Sequence, residues 1–200
     1  MKITRQIGID MGHRVPDHLS KCRNFHGHRY TIEVTLAGGL ATSGEEKGMV
    51  MDFGFLKELL ESEIDAGFDH SMCLYYEDDY LSMMCGLDEV AKVRRDIEQY
   101  GYATITTVLG FKLTLVDCVP TVENLAALWF DRMRTRVLER TSRAITVVEL
   151  KAWETPNCFA VAAPRDVAQR LAYRGESFHV SELEIFEELR LPGASQYGHV

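Results

Sequence analysis

The stretch His28-Arg-Tyr-Thr-Ile-Glu-Val-Thr-Leu36 alternates without a break. Tyr30, Ile32, Val34 and Leu36 share one face, and Arg29, Thr31, Glu33 and Thr35 share the other. A period of two over this length predicts a strand with one side on a core and one side in water. Residues 2–13 give a second strand: Ile3, Ile7, Ile9 and Met11 form an apolar face broken only by Arg5. Working backward from His28, His26 has the parity of the apolar face, as does His28 itself. Working forward from Met11, so does His13. Both strands are therefore expected to carry histidine at the end of the core-facing side.

The rest of the chain fits a sheet with helices. A loop with Gly and Ser occupies 37–48. A helix is expected over 52–65, with Asp52 as N-cap and Phe53, Leu56, Leu60 and Ile64 as its apolar stripe. Residues 71–118 hold a Met-rich stretch, a charged stretch near 88–98 of helical character, and a β-prone run ending in LTLVDC. A second helix is expected near 122–138, with Thr121 as cap and Glu123 in the first turn. Strands follow at 144–154 and 158–162, and the more polar tail 164–200 allows a helix at 181–190. The order β-β-α-(insertion)-α-β-β predicts an α+β fold, an antiparallel sheet with helices on one face.

With 200 residues the chain suits one domain with an appended segment. A net charge of −8 argues against broad nucleic-acid binding, which needs a basic surface. It leaves room for an anionic small substrate held by a few local cations. No apolar run is long enough to span a bilayer, and the opening MKITRQIGID carries charge early, so a cytoplasmic location without membrane contact is expected. The five cysteines (22, 73, 85, 118 and 158) contain no Cys-x-x-Cys pair and read as reduced thiols.

Histidines at i and i+2 on a strand project to one side, and Gly27 between them admits a close backbone or ligand. With His13 from the neighbouring strand they form a candidate three-histidine zinc site, open at a fourth position as in catalytic rather than structural sites. On these residues alone, each histidine equally suits a hydrogen-bonded core position. His18 is a rival ligand in a loop after Pro16, while His179 and His199 read as surface residues of the tail. Cys22 is a candidate base, an inert thiol or a fourth ligand. Asp69-His70 is a proton-shuttling pair or a solvated loop, and Glu154, with the parity of Val148, Leu150 and Ala152, needs a partner of opposite polarity.

Five ordered blocks then resemble one family. They are His13…Cys22-Arg-Asn-Phe-His26-Gly-His28-Arg-Tyr30, Met51-Asp-Phe-Gly-Phe-Leu-Lys57, Phe68-Asp69-His70, Pro120-Thr-Val-Glu-Asn-Leu-Ala126 and Trp153-Glu154-Thr155. Together they resemble the 6-pyruvoyl-tetrahydropterin synthase family over about residues 1–163. The resemblance implies the tunnelling fold (T-fold) and a zinc-dependent carbon–carbon lyase acting on 7,8-dihydroneopterin triphosphate. It also implies a homo-oligomer, typically a hexamer, with active sites between subunits. It assigns zinc to His13, His26 and His28, proton transfer to Cys22, Asp69 and His70, and the pterin to Glu154 with help from Thr121 and Glu123. Lys21, Arg23 and Arg29 are the nearest cations for the triphosphate.

The family's 6-carboxytetrahydropterin branch, which serves queuosine-type 7-deazaguanine (preQ0) biosynthesis, resembles Cys-x3-His-Gly-His. The animal pyruvoyl branch resembles Cys-x5-His-Gly-His. Cys22 and His26 are separated by three residues, so release of acetaldehyde and triphosphate with formation of 6-carboxytetrahydropterin is expected. The alternatives are the pyruvoyl reaction and an inactive zinc-bearing assembly module. The chain departs from the pattern in the enlarged block 71–118, in Val119 before Pro-Thr, and in the extension 164–200.

Overall fold

The computed structural model describes residues 1–141 and 144–173. The expected helix at 181–190, His179 and His199 lie outside these described residues.

The two long strands form as their alternation dictates. Strand β1 is Lys2–His13 and β2 is His26–Gly38. They pair antiparallel from Lys2↔Ala37 to His13↔His26, with Met11 opposite His28. Directly opposed residues share a face. The register therefore sets His13 across from the His-x-His pair. Gly27 is required by the neighbouring backbone: a Cβ there would lie 2.9 Å from the Met11 carbonyl oxygen.

Helix α1, Phe53–Leu60, starts at Asp52, whose carboxylate accepts from the Gly54 and Phe55 amides at 2.7 and 3.2 Å. Its buried stripe is Leu56, Leu59 and Leu60, whereas Phe53, expected in the stripe, is 47% exposed. The expected helix to residue 65 continues as a wider π-helical stretch, Glu61–Asp65, followed by the single turn α2, Ala66–Phe68. Within the π stretch Glu63 is buried and meets Arg132 and Arg136 at 2.5 and 2.9 Å. Removing the Asp52 cap should cost about 1 kcal/mol. Asp52→Ala is accordingly expected to lower Tm by roughly 2–4 °C in a thermal melt. An unchanged Tm would mean that the cap contributes nothing.

The block 71–118 enlarges the sheet. It supplies β3 (Ser71–Tyr75), the short helix α3 (Leu81–Met84), helix α4 (Leu87–Tyr100), β4 (Tyr102–Thr106) and β5 (Lys112–Val116). Strand β3 joins β1 in parallel at Met11↔Ser71 and His13↔Cys73, and β5 joins β3 in parallel. Leu74, Leu81, Cys85, Ile97, Leu113 and Leu115 give the insertion a small core of its own.

Helix α5, Val122–Arg140, runs past its expected end at 138. Strands β6 (Ile145–Thr155) and β7 (Cys158–Ala162) complete the sheet among the described residues, and α6 (Pro164–Tyr173) follows. The seven-stranded order is β4-β5-β3-β1-β2-β6-β7. The unit β1-β2-β6-β7 is antiparallel as expected, and the parallel junctions belong to the insertion. Helix α5 packs on β6 and β7, and α1 on β1 and α5. Trp129 on α5 meets Tyr30 of β2 and Phe68 of α2, with ring centroids 6.1 and 5.3 Å away. Helix α6 is tied down by Arg170, whose guanidinium donates to both Asp117 carboxylate oxygens at 2.8 and 2.7 Å.

Candidate metal centre and active site

The three expected metal ligands meet at the end of the β1–β2 pair. One ligand atom from each of His13, His26 and His28 lies within 4.8 Å of the other two, the one such group among the described residues. The ring centroids are 4.5, 5.4 and 5.0 Å apart. His18 stays outside, its Nδ1 facing the Ser20 amide at 3.1 Å and hydroxyl at 2.9 Å.

Two of the rings are oriented by backbone carbonyls. His13 Nδ1 donates to the Pro120 oxygen at 2.8 Å, and His26 Nδ1 donates to the Asn24 oxygen at 2.9 Å. Each bond fixes a tautomer with its proton on Nδ1 and a lone pair on Nε2, the arrangement a metal-binding imidazole uses. His13 is only 1% exposed. Burial pushes its imidazolium down against the Pro120 bond, and the neighbouring His26 and His28 push the same way. A neutral ring is the ligand form, so this donor set fits a divalent ion that prefers imidazole nitrogen. The Pro120 and Asn24 carbonyls carry no side-chain signature in the sequence.

Glu154 arrives beside this group on the inward side of β6, two residues past buried Ala152. The β6–β7 pairing passes from Trp153↔Phe159 to Thr155↔Cys158, so Glu154 has no opposite residue. Glu154 Oε1 lies 3.6 Å from His13 Nε2 and accepts from the Tyr30 hydroxyl at 3.2 Å. Burial, and then the Glu154 charge, push the Tyr30 phenol up, so it remains a donor. Leu150 and Ala152 share the inward side as expected, but Val148 does not. A bulge, where β2 meets β6 between Thr35 and Leu36, leaves Val148 unpaired and puts the buried Val147 on the core side instead. Tyr30 joins the site, although strand parity alone marks it only as a core residue.

Cys22 sits half-buried in a 3-10 turn, Lys21–Arg23, and is not part of the metal group. Of the other cysteines, Cys73, Cys85 and Cys118 are buried and Cys158 is exposed.

Asp69 and His70 do face each other, with Asp69 Oδ2 and His70 Nδ1 2.6 Å apart. His70 adopts φ +51°, a left-handed conformation that folds its ring back on the preceding residue. The pair is anchored to β1: the Asp10 amide donates to Asp69 Oδ1 at 2.8 Å, and the His70 amide donates to the Asp10 oxygen at 2.8 Å. Burial acts to raise the Asp69 carboxyl, but the Asp10 and His70 hydrogen bonds prevail and hold it low. His70, 78% exposed at the side chain, opens onto a groove of about 610 Å³ lined by Asp10, Gly12, Arg29, Met72 and Lys112. Asp10 and Gly12 have the opposite strand parity to Met11 and His13, but Met11 and His28 also line this groove, so it borders the histidine triad at the end of the β1–β2 pair.

Thr121 caps α5, its hydroxyl accepting from the Asn124 amide at 3.4 Å. Glu123 is exposed and lines a cavity of about 450 Å³ with Asp117, Cys118, Asn124, Phe159 and Arg170, whose walls include neither Thr121 nor Glu154. Glu123 is nevertheless close enough for its charge to act on the Tyr30 phenol, the group that bonds Glu154. Of the candidate triphosphate cations, Lys21 and Arg23 are exposed and Arg29 is paired with Asp10.

A three-imidazole group at the end of an antiparallel pair, with a carboxylate from a third strand beside it, on an α+β sheet, defines a T-fold protein whose histidines could hold a metal ion. The profile of the 6-pyruvoyl tetrahydropterin synthase family matches residues 2–165, and the chain belongs to that family. A 6-carboxy-5,6,7,8-tetrahydropterin synthase from Rickettsia bellii is 35% identical over 159 residues, which cover 80% of this chain and 97% of that one. The protein of the same name from Haemophilus influenzae is 29% identical, covering 79% and 95%. The structure of the Caenorhabditis elegans 6-pyruvoyl tetrahydropterin synthase superposes with a TM-score of 0.50 at 22% identity, covering 82% and 94%, a likeness of fold.

Proposed function

We propose that this chain is a 6-carboxy-5,6,7,8-tetrahydropterin synthase, converting 7,8-dihydroneopterin triphosphate to 6-carboxytetrahydropterin with release of acetaldehyde and triphosphate. One observation carries the reading: the Glu154 carboxylate stands 3.6 Å from the ring of buried His13 in the triad. A pterin recogniser and a metal that acts on the pterin's side chain need that adjacency. The three-residue gap between Cys22 and His26 and the names of the relatives favour the carboxy branch.

In this reading His13, His26 and His28 hold zinc, which when bound supplies Lewis-acid polarisation of the substrate's side-chain oxygens. Glu154 accepts the two N–H donors of the pterin's guanidine-like edge, steadied by the Tyr30 hydroxyl. Cys22 takes a proton from the side chain. His70 returns one, with Asp69 holding the ring's orientation and stabilising its charged form. His70 is exposed in the groove that His28 also lines, and a homo-oligomer, expected as a hexamer, would complete the site with residues of a second copy. Thr121 and Glu123 would assist at the pterin. Residues 1–163 form the synthase domain and 164–200 an extension that begins with the docked α6. No described helix is long and apolar enough to cross a membrane, and a cytoplasmic site of action is part of the proposal.

Product analysis tests the branch. One acetaldehyde is expected per substrate consumed, and a pyruvoyl product without acetaldehyde would overturn the assignment. Glu154→Gln loses a charge-assisted contact to the pterin, so KM is expected to rise about tenfold or more. A KM equal to wild type in steady-state assays would remove Glu154 from the pterin site.

A further inference from the structure

The loop between the two histidine-bearing strands, residues 14–25, carries Cys22, and one corner of the insertion holds both of its ends. Arg14 follows His13 and is 7% exposed, and its partner Asp78 is 4% exposed. Arg14 Nη1 donates to Asp78 Oδ1 at 2.8 Å. The same oxygen accepts the Tyr80 amide at 2.9 Å, which fixes the start of the Tyr80 side chain. The Arg14 guanidinium carbon lies 3.9 Å from the centre of the Tyr80 ring. On the other side, the ring of Phe25, the residue before His26, is 5.7 Å from Tyr80 between centroids and 6.0 Å from Arg14. Asp78 and Tyr80 therefore grip the first residue of the Cys22 loop through charge and stacking, and the last through ring contact.

The loop needs such a grip. Cys22 rides on a three-residue 3-10 turn that buries no side chain. Inside the loop, the Val15 amide donates to the Cys22 oxygen at 2.9 Å. A planar guanidinium can pair with a carboxylate and stack on a ring at once, a combination that fixes direction as well as distance. A reacting thiol must be held to a fraction of an ångström, and exposed loops do not achieve this without support.

We propose that Asp78 and Tyr80 are positioning residues for Cys22, so that the insertion acts as a clamp setting the loop over the metal site. Its consequence for turnover rests on the pterin-synthase reading, while the clamp itself can be read without turnover.

The test uses the zinc-loaded full chain carrying Cys158→Ser, which removes the exposed competing thiol. Two quantities are measured: the rate of Cys22 alkylation by iodoacetamide, followed by mass spectrometry, and the steady-state constants. Tyr80→Ala is expected to speed alkylation about fivefold and lower kcat about tenfold or more, with KM within about threefold. Tm and zinc content should stay at wild-type values. Tyr80→Phe keeps the ring and should match the parent in both readouts. An alkylation rate unaltered by Tyr80→Ala overturns the proposal, and so does a Tyr80→Phe variant as impaired as Tyr80→Ala. If the parent protein does not turn over the pterin, the functional reading fails while the alkylation comparison still decides the clamp.

Discussion

His13→Ala is expected to abolish zinc retention and turnover together. His13 is the buried member of the triad, it lies opposite His26 in the β1–β2 register, and its ring is locked by the Pro120 carbonyl at the head of α5. Loss of a partner that merely orients a ligand already weakens metal binding about 10–100-fold, so loss of the ligand itself should exceed that. The Pro120 carbonyl would also lose the donor it accepts from. Zinc content after dialysis, measured beside activity, checks the prediction. A His13→Ala protein that keeps one zinc per chain and its turnover would remove the triad from the account.

Cys22→Ala should separate chemistry from metal binding. A positioned acid or base contributes about 10²–10⁴-fold, and kcat is expected to fall by that order. Zinc content should be unchanged, because Cys22 is not one of the grouped ligands. Cys22→Ser retains a hydroxyl of higher pKa and should recover little. A kcat equal to wild type would transfer the base's role elsewhere, and loss of zinc in Cys22→Ala would mark the thiol as a fourth ligand.

The histidine triad was legible because it obeys a rule of position. Strand alternation gives the face of His13, His26 and His28, and the unbroken β1–β2 register keeps that parity to the last residue. Glu154 was legible by the same rule through Leu150 and Ala152. The rule fails at Val148, where a bulge slips the count by one and no side chain announces it. The facing of Asp69 and His70 depends on a left-handed φ at a residue other than glycine, a conformation set by the Asp10 contacts rather than by local preference. The insertion's strands are five residues each, and their pairing with β1 and one another is a long-range choice that short runs do not encode. Phe53 had the right spacing for the core, but the turn it begins looks outward and Leu59 takes its place.

Pterin cleavage is expected to depend on a zinc ion held by His13, His26 and His28. Zinc add-back to the chelated full chain tests it most directly, with acetaldehyde formation from 7,8-dihydroneopterin triphosphate as the readout. Acetaldehyde should be absent without metal and rise linearly with added zinc to a plateau at one equivalent per chain. Full acetaldehyde formation by the metal-free protein would contradict the claim.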